Sequence, residues 1–125
     1  MDRKTAALLH DALVALDEIQ VFTVGLSREE FDQQRGTQLI VERLLITVGE
    51  ALSQAASSVD DLEKLIPELW DIVGMRNRIV HGYREIDDDV VWAVVVIKAP
   101  ELAALLRSLL AERAPPLSER RVQGG

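Results

Sequence analysis

Val90-Val91-Trp92-Ala93-Val94-Val95-Val96-Ile97 is the stretch on which the fold of this chain turns. Its β-branched content suits a buried strand as well as a helix. No other segment offers a credible strand partner, and a lone strand leaves its backbone donors and acceptors unpaired. The run therefore reads as a helix. Asp87-Asp88-Asp89, just before it, can cap that helix and favour its positive N-terminal dipole. Pro100 kinks the helix or starts a new one, and Leu102, Leu105, Leu106 and Leu109 continue the apolar face to about Arg113. This is the longest uninterrupted apolar run, and its eight residues fall far below the roughly 20 that a membrane-spanning helix needs.

Upstream of this run the pattern is helical throughout. Residues 2–24 carry Leu9, Leu13, Leu16 and Ile19 on one face, and Gly25 closes that helix with Ser27 as a cap. A polar segment from Ser27 to Gly36 follows. The cleanest periodicity lies in residues 37–57, where Val41, Leu44, Leu45, Val48, Leu52 and Ala55 recur at helical spacing. Ile40 and Ile46 give this helix a second apolar side, which makes it central. A turn at Ser57-Ser58-Val59-Asp60 and a short element from Asp61 to Ile66 lead to Pro67, well placed in the first turn of a helix running to about His81. Gly82 then stands where a helix end wants a left-handed residue.

The expected fold is an all-α, up-down bundle of four to five helices in one domain, residues 1–113. A polar tail, residues 114–125, begins at Ala114-Pro115-Pro116 and is expected to be disordered. The chain is 48% apolar but only 4% aromatic, so its core is aliphatic, which suits a bundle better than a sandwich. With no cysteine, disulfides and thiolate metal sites are excluded, and a reducing cytoplasm is the expected location. The N-terminus lacks the apolar stretch of a signal peptide, and no membrane association is expected. A net charge of −7 argues against binding nucleic acid over the whole surface, but not against one local site.

Such a site is visible in Arg76-Asn77-Arg78-Ile79-Val80-His81-Gly82-Tyr83. Leu69, Ile72 and Val73 mark one helical face, and the next positions on it are Arg76 and Val80. An inward arginine costs several kcal/mol unless it is paired or opens to a ligand. A capped helix end is the bland alternative, since cations near a C-terminus stabilise by about 0.3–1 kcal/mol without any function. Three features weigh against it. Arg76 falls on the buried face, Asn77 and His81 are i, i+4 neighbours able to hydrogen-bond, and Gly82 allows a sharp exit that sets Tyr83 beside the imidazole.

A histidine with an arginine nearby is a minimal kit for breaking RNA. The imidazole moves a proton near neutral pH, and the guanidinium holds a phosphate and stabilises the charge of its transition state. RNA supplies its own nucleophile, the 2′-OH, so no metal or cofactor is needed. One such set has a single good acid–base group, which suggests two copies meeting across a dimer axis. Glu50 is a candidate carboxylate for Arg76. Gly49 reads as a site of close helix packing, and Gly74 as a close approach between helices or subunits. His10 reads as an ordinary, partly exposed histidine, Asp87 to Asp89 as a helix start rather than a metal cluster, and Trp70 and Trp92 as core rather than stacking platforms. No P-loop, dinucleotide fingerprint or hydrolase triad is present.

Arg76-Asn77-x3-His81-x-Tyr83 resembles the Arg-x4-His-x-Tyr signature of HEPN-domain proteins, specifically the HepT-like toxins of prokaryotic toxin–antitoxin pairs. Gly49-Glu50-Ala51, the approach Leu69 to Asn77, and Ile86-Asp87 with Val91-Trp92 also look like that family, so the likeness covers roughly residues 5–110. It implies a homodimer with both motifs in a composite cleft and a metal-independent ribonuclease acting on RNA, with no DNA expected. Arg76 and His81 would be catalytic, with Asn77 orienting them and Arg78 in support. The likeness also implies a minimal nucleotidyltransferase antitoxin that transfers AMP to Tyr83, adding charge and bulk beside the arginines. A non-catalytic nucleotide- or nucleotidyltransferase-binding module is the alternative that the low positive charge elsewhere keeps open. An occluding partner could also contact the tail from Pro115 onward.

Overall fold

A computed structural model of the protein describes residues 1–82 and 87–113, so Tyr83, Ile86 and the expected tail lie outside the described residues. The elements are α1 (Arg3–Thr23), α2 (Arg28–Gln33), α3 (Arg35–Ser58), α4 (Leu62–Leu65), α5 (Leu69–Val80), α6 (Asp88–Ala93), a π-helical segment (Val94–Lys98) and α7 (Ala99–Arg113). No strand occurs among the described residues. The all-α class expected from sequence is the class observed.

Val90 to Ile97 is helical, and α6, the π segment and α7 run on as one rod. Pro100 neither breaks that rod nor begins a separate helix. The N–H of Ala99 reaches back five residues to the carbonyl of Val94. A π turn holds one residue more than an α turn. Pro100 brings no N–H, and its ring would crowd the carbonyl four residues before it. The widened turn therefore lies where the regular ladder would have failed.

Side chains close the helix ends. Asp2 caps α1 by accepting from the Thr5 N–H at 2.7 Å, and the Thr5 side chain together with that N–H holds its carboxyl below the usual carboxylate range. Ser27 does not close α1 but opens α2, inside the segment read as merely polar. Its hydroxyl accepts from Glu30 N–H at 3.1 Å, while Glu30 accepts from Ser27 N–H at 3.0 Å. This reciprocal box lowers the Glu30 pKa and lets a six-residue helix stand. Asp87 caps α6 by accepting from Asp89 N–H at 2.9 Å, as its position suggested. Helix α5 begins two residues later than expected. Pro67 sits in a turn closed by Leu69 N–H to Ile66 O at 3.0 Å, and the helical ladder starts from the Glu68 carbonyl.

Helix α3 packs between α1 and α5, and α1 packs in turn on α7. The core is aliphatic: Leu9, Leu16 and Ile19 of α1, Val41, Leu45, Val48 and Leu52 of α3, Leu69 and Ile72 of α5, and Leu102 and Leu106 of α7 are buried. Each such side chain contributes about 1.5–3 kcal/mol by leaving water. Ion pairs join the last rod to the other helices. Arg107 meets Asp17 of α1 at 2.7 Å, and Lys98 meets Glu68 at 2.5 Å beside the start of α5. Arg28 links α2 to Asp89 at 2.6 Å, and Phe31 is buried against Trp92 with ring centroids 5.1 Å apart. Trp70 is different. At 56% exposure it is not a core residue, and Val80, expected on the buried face, is 45% exposed. Among the described residues no helix is long and apolar enough to cross a membrane.

Candidate active site

Helix α5 carries the motif, and Gly49 of α3 determines how closely α5 can approach. A Cβ built on Gly49 would stand 2.3 Å from Arg76 Cβ and 2.7 Å from Arg76 Cγ. The aliphatic stem of Arg76 thus lies directly over bare α3 backbone. The close packing expected at Gly49 is real, and the side chain it admits is the inward arginine. Gly74 behaves otherwise: an added Cβ there meets nothing within 4 Å, so no helix of the described fold presses on it.

The Arg76 guanidinium is held from both sides. One terminal nitrogen donates to Asn77 Oδ1 at 2.8 Å, and the other approaches Glu50 Oε1 at 3.5 Å. The Arg76 side chain is 29% exposed and that of Glu50 43%, so the pair sits at the rim of the core. At 3.5 Å the carboxylate contact is at the outer limit of a hydrogen bond. Arg76 Nε is buried with no hydrogen-bond partner among the described residues. A buried, unsatisfied donor is costly, on the order of 1–3 kcal/mol, and such groups concentrate where function requires them. Ser53 and Gln54 complete a shallow recess around Glu50 and Arg76.

Asn77 uses its side-chain oxygen on Arg76, while its backbone carbonyl accepts from the His81 N–H at 3.0 Å. His81 is the C-cap of α5 and is exposed. Gly82 follows with φ +64°, the left-handed conformation expected of it, and its N–H returns to Ile79 O at 3.2 Å. Glu50, Arg76 and Asn77 are therefore gathered in direct contact, with His81 one turn beyond Asn77. Arg78 is exposed on another face of α5, where it lines a cleft with Trp70 and Gly74. The sequence reading missed that cleft, although Trp70, Gly74 and Arg78 at spacings of four already share one helical face. Among the described residues no three His, Asp or Glu side chains are grouped to hold a metal ion.

The family model for ribonuclease HepT-like proteins matches residues 12–109. Two proteins of Methanocaldococcus jannaschii, each named "Putative RNase", are 30% identical over 100 residues; the match covers 80% of this chain and 82% and 85% of theirs. A protein of Thermococcus cleftensis named "Probable ribonuclease HepT" is 31% identical over 111 residues, covering 87% of this chain and 98% of that one. No solved structure matches. With the motif-bearing helix inside the matched span, this chain belongs to the ribonuclease HepT-like family.

Proposed function

We propose that this protein is a metal-independent endoribonuclease acting on single-stranded RNA, with Arg76 and His81 as its catalytic pair. The observation that carries the reading is Arg76. It is half-buried, threaded over Gly49, held by Asn77 and Glu50, and burdened with an unsatisfied Nε. Structure alone gives little reason to keep an arginine there, and names of relatives that include RNase support the chemistry.

The RNA 2′-oxygen attacks the adjacent phosphorus, a new P–O bond forms, and the P–O5′ bond breaks. The products are a 2′,3′-cyclic phosphate and a free 5′-hydroxyl. His81 takes the 2′-OH proton, and the departing 5′-oxygen is protonated by an acid such as His81 of a second copy. Arg76 stabilises the charge on the phosphate oxygens, with Asn77 and Glu50 fixing its direction. A homodimer joins two such sets in one cleft.

The protein is the toxin of a toxin–antitoxin pair, controlled by a minimal nucleotidyltransferase that adds AMP to Tyr83, two residues beyond His81. Each added phosphate puts negative charge where the substrate phosphate must approach. Co-expression with that partner tests the control: the wild type gains the mass of AMP, and Tyr83→Phe gains none and stays toxic. AMP on the Phe variant would remove Tyr83 from the account.

A further inference from the structure

Successive residues of an α-helix turn by about 100°, so Trp70, Gly74, Asn77, Arg78 and His81 fall within an arc of about 100° on one side of α5. Arg76 points elsewhere, toward α3. Along this stripe a cleft of about 360 Å³ opens between α5 and the rod that follows, walled by Val90 and Val94 and bordered by Lys98. Its size is at the small end for a ligand-sized pocket. Three properties of the cleft are chemically specific. Trp70, 56% exposed, offers a flat aromatic face at one end. Gly74 leaves the floor open, since no atom lies within 4 Å of where its Cβ would be. Arg78 lies about 12 Å further along the helix and forms no ion pair among the described residues.

We infer that this cleft is a nucleotide subsite for the RNA strand, with an unpaired base stacked on Trp70 and a phosphate held by Arg78, feeding the scissile step at His81. The inference rests on the ribonuclease reading and names the part of the substrate that reading leaves unassigned. Aromatic faces bind splayed single-stranded bases without sequence preference. Lys98 is already occupied by Glu68 at 2.5 Å and Asp71 at 3.6 Å, so Arg78 is the cation left for a phosphate. Asp71 also borders the cleft, but its carboxylate faces Lys98 at 3.6 Å rather than Arg78. An occupant with its own negative charge complements Arg78, which has no ion-pair partner among the described residues. The stripe also runs straight on to His81, three residues past Arg78, which places a bound nucleotide in line with the proposed chemistry.

The test uses the full chain and a fluorescein-labelled single-stranded RNA whose 2′-hydroxyls are all methylated, so that it binds without being cut. Trp70→Ala is expected to weaken binding by roughly 5- to 100-fold, the range for losing one base–aromatic stack, and Trp70→Phe to restore most of it. Arg78→Gln is expected to weaken binding and to lower its salt dependence by about one phosphate contact. Gly74→Leu fills the floor at a position with room for a side chain, so it folds and still binds poorly. Equal affinity in wild type, Trp70→Ala and Gly74→Leu overturns the proposal. So does a Trp70→Ala protein whose only change, by sedimentation, is its oligomeric state, since the cleft is then covered by another copy. Cleavage of unmethylated RNA by the same wild type is scored separately. Cleavage with Trp70-independent binding sinks the subsite alone, whereas Trp70-dependent binding without cleavage sinks the nuclease reading and leaves the subsite standing.

Discussion

The Cβ that Gly49 lacks would stand 2.3 Å from Arg76 Cβ, closer than side-chain atoms on neighbouring helices come. This absence on α3 lets α5 approach and lays the arginine stem across the gap. It also explains how an acidic protein keeps an inward cation: the stem is packed as an aliphatic group, and only its head reaches Asn77 and Glu50.

The two mid-helix glycines should therefore respond to alanine with opposite signs. Gly49→Ala overpacks the α3–α5 contact and is expected to cost about 1–3 kcal/mol, with RNA cleavage lost even where the protein is folded. Gly74→Ala meets no atom and is expected to gain up to ~1 kcal/mol from helix propensity. Urea midpoints of the two variants check this. Similar shifts in both would mean that Gly49 does not determine the approach of α5.

Glu50 and Arg76 are partly exposed, so their contact adds little stability. Glu50→Ala is expected to change the unfolding free energy by less than about 1 kcal/mol while lowering kcat on RNA roughly tenfold, a loss of about 1.4 kcal/mol in transition-state stabilisation. Glu50→Gln, which keeps an acceptor for Arg76, should fall between. Unchanged kcat in Glu50→Ala would remove the carboxylate from the positioning of Arg76.

Stability should depend on pH in two separate windows. Glu68, beside Lys98, raises the lysine pKa, so this pair stabilises the fold below the ordinary lysine range and is lost as pH rises through the folded value. The Tm gap between wild type and Lys98→Met should therefore close in strong alkali. Asp2 and Glu30 are held low by their capping bonds to Thr5 and Ser27. Their contribution is present above the ordinary carboxylate range and lost as pH falls through the lowered values. A Ser27→Ala gap in Tm that is constant from neutral pH into acid would contradict this role for Glu30.

Where a residue's local pattern and its packing agreed, the sequence was legible. The stripe Val41, Leu45, Val48 and Leu52 is buried along α3 as its spacing indicated, and Val90 to Ile97 is a helix, with no strand among the described residues to pair with it. The π turn before Pro100 was not legible, because an extra residue in a turn leaves no mark in the hydrophobic spacing. Helix α2 was hidden for another reason: a six-residue helix has almost no periodicity, and only the Ser27–Glu30 spacing announced it. Trp70 was assigned to the core by residue type, yet four residues on stands Gly74, and the cleft between α5 and the last rod leaves its ring exposed. At the candidate site, the inward Arg76, the left-handed Gly82 and the separation of Arg78 from Arg76 followed from helical spacing, whereas the cleft that Arg78 lines needed the helix's neighbours.

The central claim is that Arg76 and His81 cut RNA without a metal. Its most direct test is incubation of single-stranded RNA with purified wild type and His81→Ala, in EDTA, after mass spectrometry confirms that Tyr83 is unmodified. The account predicts fragments ending in 2′,3′-cyclic phosphate with the wild type and intact RNA with His81→Ala. Intact RNA in both would contradict it and leave a binding module, and equal cleavage in both would take His81 out of the chemistry.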